Sequence, residues 1–207
     1  MQKIGAVILA AGESSRFGQP KQLLSFRGKT LVRTVIDAAR EAGCSPVVVV
    51  IGSNSEKVQH ELAHADVVNV QNKNWQRGIG SSIRIGVQAL INQMPDVEAI
   101  LLLVCDQPAV NGQFIERLIA TREATKKNIV AASYANTVGV PAIFDRSLFK
   151  ELLALGNEGG AKSIILQNPE RVAPFAFPEG AIDIDTWKDW KALDETKSSQ
   201  TKRGVPH

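Results

Sequence analysis

Cysteine is scarce: only Cys44 and Cys105 occur in 207 residues, far apart and with no C-x-x-C pair. Each sits beside an apolar stretch, so they read as buried free thiols of a reducing, cytoplasmic compartment rather than as a disulfide. Long hydrophobic runs are missing too. The most apolar ones, such as Ala99 to Cys105, are far too short to span a bilayer, so no membrane partner is expected. No basic leader or cleavage pattern precedes the strand-like segment reached by Ile4, and no signal peptide is expected. Acid is absent from the last twelve residues, TKSSQTKRGVPH, which hold Lys197, Lys202 and Arg203. They account for the whole excess of three basic residues, so the net charge is no footprint of nucleic-acid binding. Polar and aperiodic, residues 195–207 are expected to be a disordered tail on a single domain, 1–194. There is no internal repeat and no linker.

What is present is an alternation of apolar runs and helical patterns. Ile4 to Leu9 reads as a buried strand. Leu31, Val32, Val35, Ile36, Ala39 and Ala42 then share one face of a helix from Thr30, stopped by Gly43. VVVVI (Val47 to Ile51) is too short for a helix and too apolar for an exposed strand. Ser53 and Glu56 have capping-box spacing ahead of a short helix over 56–63. Further strands are predicted over Val67 to Val70, Ala99 to Cys105, Ile129 to Ser133, Val138 to Phe144, 172–177 and 181–184. Helices are predicted over Ser82 to Ile91, Phe114 to Ala124, 147–154, 160–166 and from Thr186. AILLLVC, the most apolar strand, is expected at the centre of the sheet. The pattern is α/β: a three-layer α/β/α sandwich around a mostly parallel twisted sheet, with an antiparallel excursion after residue 134. In such sheets ligands bind at the carboxyl ends of strands, which directs attention to the loops after Leu9, Ile51 and Cys105.

The first of these loops, Gly12 to Lys21, has the ingredients of a phosphate cradle. Glycines allow close backbone approach, Ser14 and Ser15 supply hydroxyls, Arg16 can fork onto phosphate oxygens and Lys21 adds a compact charge. It is not a P-loop: five residues separate Gly12 from Gly18, and Gln19 follows. Gly28-Lys29-Thr30 imitates a P-loop end, but Leu23 stands where the first glycine belongs. Gly78-Ile79-Gly80 lacks the third glycine of a dinucleotide fingerprint, since position 83 is Ile.

Leu9, Ala10, Ala11, Gly12, Ser14, Arg16, Gly18 and Lys21 do fill the pattern L-A-A-G-x-S-x-R-x-G-x-x-K of nucleotidyltransferases with the glycosyltransferase-A-like fold. From about residue 3 to 193 the chain resembles the MobA-like NTP transferase family, in particular its molybdenum-cofactor cytidylyltransferases. The resemblance implies a Mg²⁺-dependent transfer of a nucleotide from an NTP to a phosphorylated acceptor resembling molybdopterin. Leu9, Ala10, Ala11, Gly12, Ser14, Arg16 and Lys21 would hold the nucleotide, with Arg16 and Lys21 acting on the triphosphate in catalysis. LAAG loops go with cytidine nucleotides in the family and LAGG loops with guanosine, so Ala11 points to CTP.

Asp106 directly follows the strand LLLVC, and Gln107-Pro108 break the chain behind it. The family's Asp-x-Pro aspartate binds metal, so Asp106 is the expected catalytic Mg²⁺ ligand. AIDIDTWKDW resembles the family's D-I-D-T-P-E-D-L; Asp185 is the expected second ligand, although Trp187-Lys188 replaces Pro-Glu and Thr186 could simply cap a helix. Trp75, Gly78, Ser82 and Gly86 match a base-reading segment, in which Gly80, Ser81 and Ser82 would offer N–H and hydroxyl groups; a plain capped helix is the competing reading. For the acceptor, Tyr134, Gly139, Pro141 and Phe144 match a family segment, and GNEGGAK replaces G-D-x-G-A-R, with Lys162 in place of arginine. That glycine-rich turn reads equally as structural. His60 and His64 are spaced i, i+4 but lack an HExxH glutamate or a third ligand, so they read as a solvated face. The alternatives to cytidylyl transfer are a nucleotide- or cofactor-binding maturation partner of a molybdoenzyme, an oxidoreductase-linked relative, and a sugar-phosphate nucleotidyltransferase.

Overall fold

The computed structural model describes residues 3–14, 17–181, 189 and 190. Its main sheet has seven strands in the order β5-β4-β1-β6-β8-β7-β9. These are β1 (Ile4–Ala10), β4 (Val47–Ile51), β5 (Val68–Gln71), β6 (Ala99–Val104), β7 (Ile129–Tyr134), β8 (Thr137–Asp145) and β9 (Val172–Ala176). β2 (Ser25–Phe26) and β3 (Lys29–Thr30) form a separate small hairpin. β1 pairs in parallel with β4 and β6, β4 with β5, and β7 with β9. β8 alone runs antiparallel, between β6 and β7. This is the reversed excursion expected after residue 134, entered by a two-residue turn with Ala135 and Asn136 at positive φ. The run AILLLV is the fourth of the seven strands, central as its apolarity on both faces requires.

The period of two along β1 builds the layers. Ile4, Ala6, Ile8 and Ala10 face α1 (Leu31–Glu41), α2 (Ser55–Glu61) and α4 (Gly112–Thr125). Val7, with Val48 and Val50 of β4, faces α3 (Ile79–Gln93); α5 (Phe149–Leu153) and α6 (Ala161–Gln167) share that second core. Thr30 caps α1 by accepting the Arg33 N–H, and Gly43 follows its end at φ +80°. No described helix is long and apolar enough to cross a membrane.

Several boundaries move. The capping box does not form: α2 starts at Ser55 behind Asn54, which is left-handed (φ +57°), while Ser53 Oγ accepts from Asn54 Nδ2. α3 begins three residues earlier than predicted, because Gly78 at φ +116° turns the chain directly into Ile79. The expected strand at 181–184, the helix from Thr186 and the tail lie largely or wholly outside the described residues.

Gly86 sets how closely α3 approaches the sheet. A methyl group there would stand 2.4 Å from Val7 Cγ1 and 2.7 Å from Val50 Cγ2. Overpacking of this kind costs about 1–3 kcal/mol, against a gain in helix propensity of about 1 kcal/mol. Gly86→Ala is therefore expected to lower the urea midpoint of unfolding; an unchanged or raised midpoint would mean that α3 sits on the sheet with slack.

Candidate active site

The loop leaving β1 is closed by its own polar groups. Ser14 adopts φ +58°; its carbonyl accepts the Phe17 N–H at 2.9 Å and its Oγ accepts the Lys21 N–H at 3.0 Å. Gly18 follows at φ +66°, where a side chain would be strained. From beneath, the buried Gln22 donates Nε2 to Ala10 O at 3.0 Å and Gly12 O at 2.8 Å. Nothing lies within 4 Å of where a Gly12 side chain would begin, so this backbone faces open space. The loop after β4 presses on the same turn. Ser53 N donates to Ala11 O at 3.1 Å, and a Cβ on Gly52 would meet Ala11 O and Trp75 Cβ, each at 2.7 Å.

Asp106 emerges beyond β6, 85 residues after Lys21 in the chain, and Lys21 Nζ reaches its Oδ2 at 2.5 Å. Both side chains are about one-fifth exposed. The pair lies on a cavity of about 230 Å³, walled also by Ala11, Gly12, Trp75, Ile79 and Ser82. Each charge neutralises the other at the mouth of a cleft; an incoming phosphate competes for the ammonium and a hard cation for the carboxylate. Leu9 and Gln22 also line this space. A larger cavity, about 690 Å³, opens beyond Pro108, between Phe26, Phe114, Arg117 and Phe177, and none of the expected nucleotide, metal or acceptor residues that the structure describes lines it.

The structure thus gathers Leu9, Ala11, Gly12, Lys21, Ser82 and Asp106 around one cavity. Gly80 and Ser81 lie beside it with their polar groups engaged. Gly80 N–H donates to Asn157 O at 2.9 Å, and a Cβ on Gly80 would fall 1.9 Å from Gly156 O. Ser81 Oγ donates to Gly78 O at 2.7 Å. The glycine-rich turn GNEGGAK is clasped to α3 by Arg84, which donates to Leu155 O and, at 2.6 Å, to Asn157 Oδ1. Lys162 is exposed on the first turn of α6. Gly139 and Pro141 sit in β8 by a corner in which Tyr134 OH donates to Val140 O at 3.0 Å. Gln107 Nε2 donates to that carbonyl at 3.3 Å and to Gly180 O at 3.2 Å, so the corner braces the residue after Asp106. None of Gly139, Pro141 and Lys162 lines the cavity with Lys21. Arg16 and Asp185 lie outside the described residues. His60 and His64 are exposed, and no group of three or more His, Cys, Asp and Glu able to hold a metal occurs among the described residues.

Gln22, Gly52, Asn72 and Arg84 are the residues that reasoning from the sequence missed. Glutamine, asparagine and arginine in polar stretches carry no spacing signal, and only the tertiary contacts reveal their partners.

A glycine-rich loop and a lysine facing a strand-terminal aspartate thus lie together at the carboxyl edge of the parallel strands, where α/β sheets bind their ligands. Residues 6–172 match the MobA-like NTP transferase domain, and the chain belongs to that family. The bifunctional protein GlmU of Syntrophotalea carbinolica is 34% identical over 166 residues, 78% of this chain but 34% of that one, so the chain spans about a third of that relative's length. Nicotine blue oxidoreductase of Paenarthrobacter nicotinovorans is 29% identical over 173 residues, 80% of this chain and 83% of that one. Among solved structures, Rv0371c of Mycobacterium tuberculosis H37Rv superposes with a TM-score of 0.78 at 32% identity, over 94% of this chain and 99% of that one. Its complex with manganese gives 0.76 at 29% identity, over the same shares.

Two measurements probe the walls of the site. Gln22→Leu strips a donor from two carbonyls, Ala10 O and Gly12 O, and is expected to cost about 1–3 kcal/mol of stability in chemical denaturation. Both thiols are buried and free; burial pushes Cys44 up to about 12 and Cys105 higher still, the latter aided by the Asp106 charge. Iodoacetamide at pH 8 is expected to leave both unmodified in the folded protein and to alkylate both in denaturant.

Proposed function

We propose that the chain transfers a nucleoside monophosphate, CMP from CTP, to a phosphorylated acceptor resembling molybdopterin and releases pyrophosphate. The observation that carries this reading is the Lys21–Asp106 pair beneath an open glycine-rich loop. Lys21, with Arg16 of the same loop, would bind the triphosphate and stabilise charge developing on the pyrophosphate. Ala11, Trp75 and Ile79 would wall the base, and Ser82 would meet its polar edge. An acceptor phosphate oxygen forms the new bond to the α-phosphorus as the bond to the bridging oxygen of pyrophosphate breaks. The attacking oxygen is already anionic, so no strong general base is required. The work left to the protein is positioning and charge neutralisation.

The donor chemistry suits a hard divalent cation. Mg²⁺ is usually held by one or two carboxylates together with substrate phosphates, and a single described aspartate at a strand end fits that pattern better than a closed protein cage would. Asp106, joined by Asp185, would hold it. When bound, the ion supplies charge neutralisation and orientation at the phosphates. The manganese complex of the Mycobacterium tuberculosis relative is in keeping with this.

A second reading, a protein that binds a nucleotide or cofactor without transferring it, is favoured by the likeness to an oxidoreductase over four-fifths of both chains. Pyrophosphate release on mixing protein, Mg²⁺, CTP and molybdopterin separates the two: release supports transfer, and binding without release supports the partner reading. A thermal-shift panel of CTP, GTP, UTP and ATP with Mg²⁺ is expected to show its largest shift with CTP. Lys21→Ala and Asp106→Ala should each lower turnover at least about a hundredfold, with circular dichroism unchanged. Normal turnover in either variant would overturn the assignment of these two residues.

A further inference from the structure

Asn72 follows β5 and is fully buried. Its backbone N–H donates to Ile51 O at 2.7 Å, and its Oδ1 accepts the Asn74 N–H at 2.9 Å. That second bond orients the amide: with the oxygen turned to Asn74, Nδ2 faces α3. Both of its hydrogens are used there, one donated to Ser81 Oγ at 2.8 Å and one to Ser82 Oγ at 2.9 Å. Each hydroxyl oxygen therefore already accepts a hydrogen bond and must place its own proton elsewhere. Ser81 donates to Gly78 O. Ser82 has no acceptor among the described residues, is 4% exposed, and stands on the cavity wall with Ala11, Trp75 and Ile79.

We infer that Asn72 is a positioning residue that turns the Ser82 hydroxyl into a directed hydrogen-bond donor toward the base of the bound nucleotide. The inference rests on the nucleotide-binding reading above. It selects a base that presents a ring nitrogen lone pair or a carbonyl oxygen at this point. A base presenting N–H there could reach only the remaining lone pair of Ser82 and would leave the hydroxyl proton unpaired in a closed space, which is costly. Ser81 serves the other half of the arrangement, taking the second Asn72 hydrogen so that the amide cannot rotate without losing two bonds.

The test is calorimetric binding to the full chain in Mg²⁺, using CTP, GTP, UTP, ATP and inorganic triphosphate. For the tightest NTP, Ser82→Ala is expected to weaken binding about tenfold, the worth of one hydrogen bond. Ser82→Thr, which keeps the donor, should bind as the wild type does. Asn72→Ala should weaken NTP binding by a similar factor, and the double variant should be no weaker than Ser82→Ala, because Asn72 acts through Ser82. Inorganic triphosphate, which has no base, should bind all variants alike. If Asn72→Ala does not fold, Asn72→Ser, too short to reach both hydroxyls, takes its place in the cycle. Unchanged affinity in Ser82→Ala, multiplicative losses in the double variant, or a parallel loss of triphosphate binding would each overturn the inference while leaving the function standing. A wild-type chain that binds no NTP would overturn the function and the inference together.

Discussion

Because Leu9 lies opposite both Val50 of β4 and Val104 of β6, the chain leaves three neighbouring strands at one edge of the sheet, within a residue or two of the same level. Everything at the site follows from that register. The glycine-rich loop, the Gly52-Ser53 turn and Asp106 must all emerge side by side, and the turns can touch only because Gly52 has no side chain. Parallel pairing of strands buried on both faces is unforgiving. A slip of one residue would turn Val7 and Ile8 to the opposite cores and carry Asp106 away from the loop it faces.

Onto that edge the chain brings opposite charges with little solvent around them. Lys21 and Asp106 meet where the field of each is weakly screened, so the pair is both a cross-brace between two loops and a store of binding potential. Neither group is spare. A ligand that takes the lysine would leave the aspartate in need of another cation, and a cation on the aspartate would weaken its hold on the lysine. Under the proposed function, anionic nucleotide and divalent metal would therefore favour one another's binding through this contact.

The polar interior is concentrated in the same place. Gln22, Asn72, Ser81, Ser82 and Gln107 are the buried polar residues among those described, and all surround the cavity or its loops. Three of them are amides with parallel duties. Gln22 holds the loop after β1, Asn72 holds the start of α3, and Gln107, the residue after Asp106, ties its own loop to β8. Buried amides tie irregular backbone to rigid strands without adding charge beside the Lys21–Asp106 pair.

From the sequence alone the sheet's membership, its central strand, the antiparallel excursion and the place of the opening loop at the strand ends were all legible. Apolar periodicity reports burial directly, and the loop's fixed positions match a pattern in which each residue type has a physical job. The position of Asp106 was legible for the same reason: a carboxylate directly after a wholly apolar strand has one end of the sheet to occupy. Helix starts were less so, since Gly78 and Asn54 begin helices through backbone conformation and not through a capping side chain. What only the tertiary structure decided is who meets whom. Gly80 and GNEGGAK, read as candidate ligand-binding segments, pack on each other. Val140, between Gly139 and Pro141, accepts from Gln107, and an asparagine with no motif around it orients the serine on the cavity wall. Residue types and spacings determine which groups a chain can offer. Whether a hydroxyl, amide or glycine faces a ligand or a neighbouring carbonyl depends on contacts between distant segments, which exist only once the sheet has set their register.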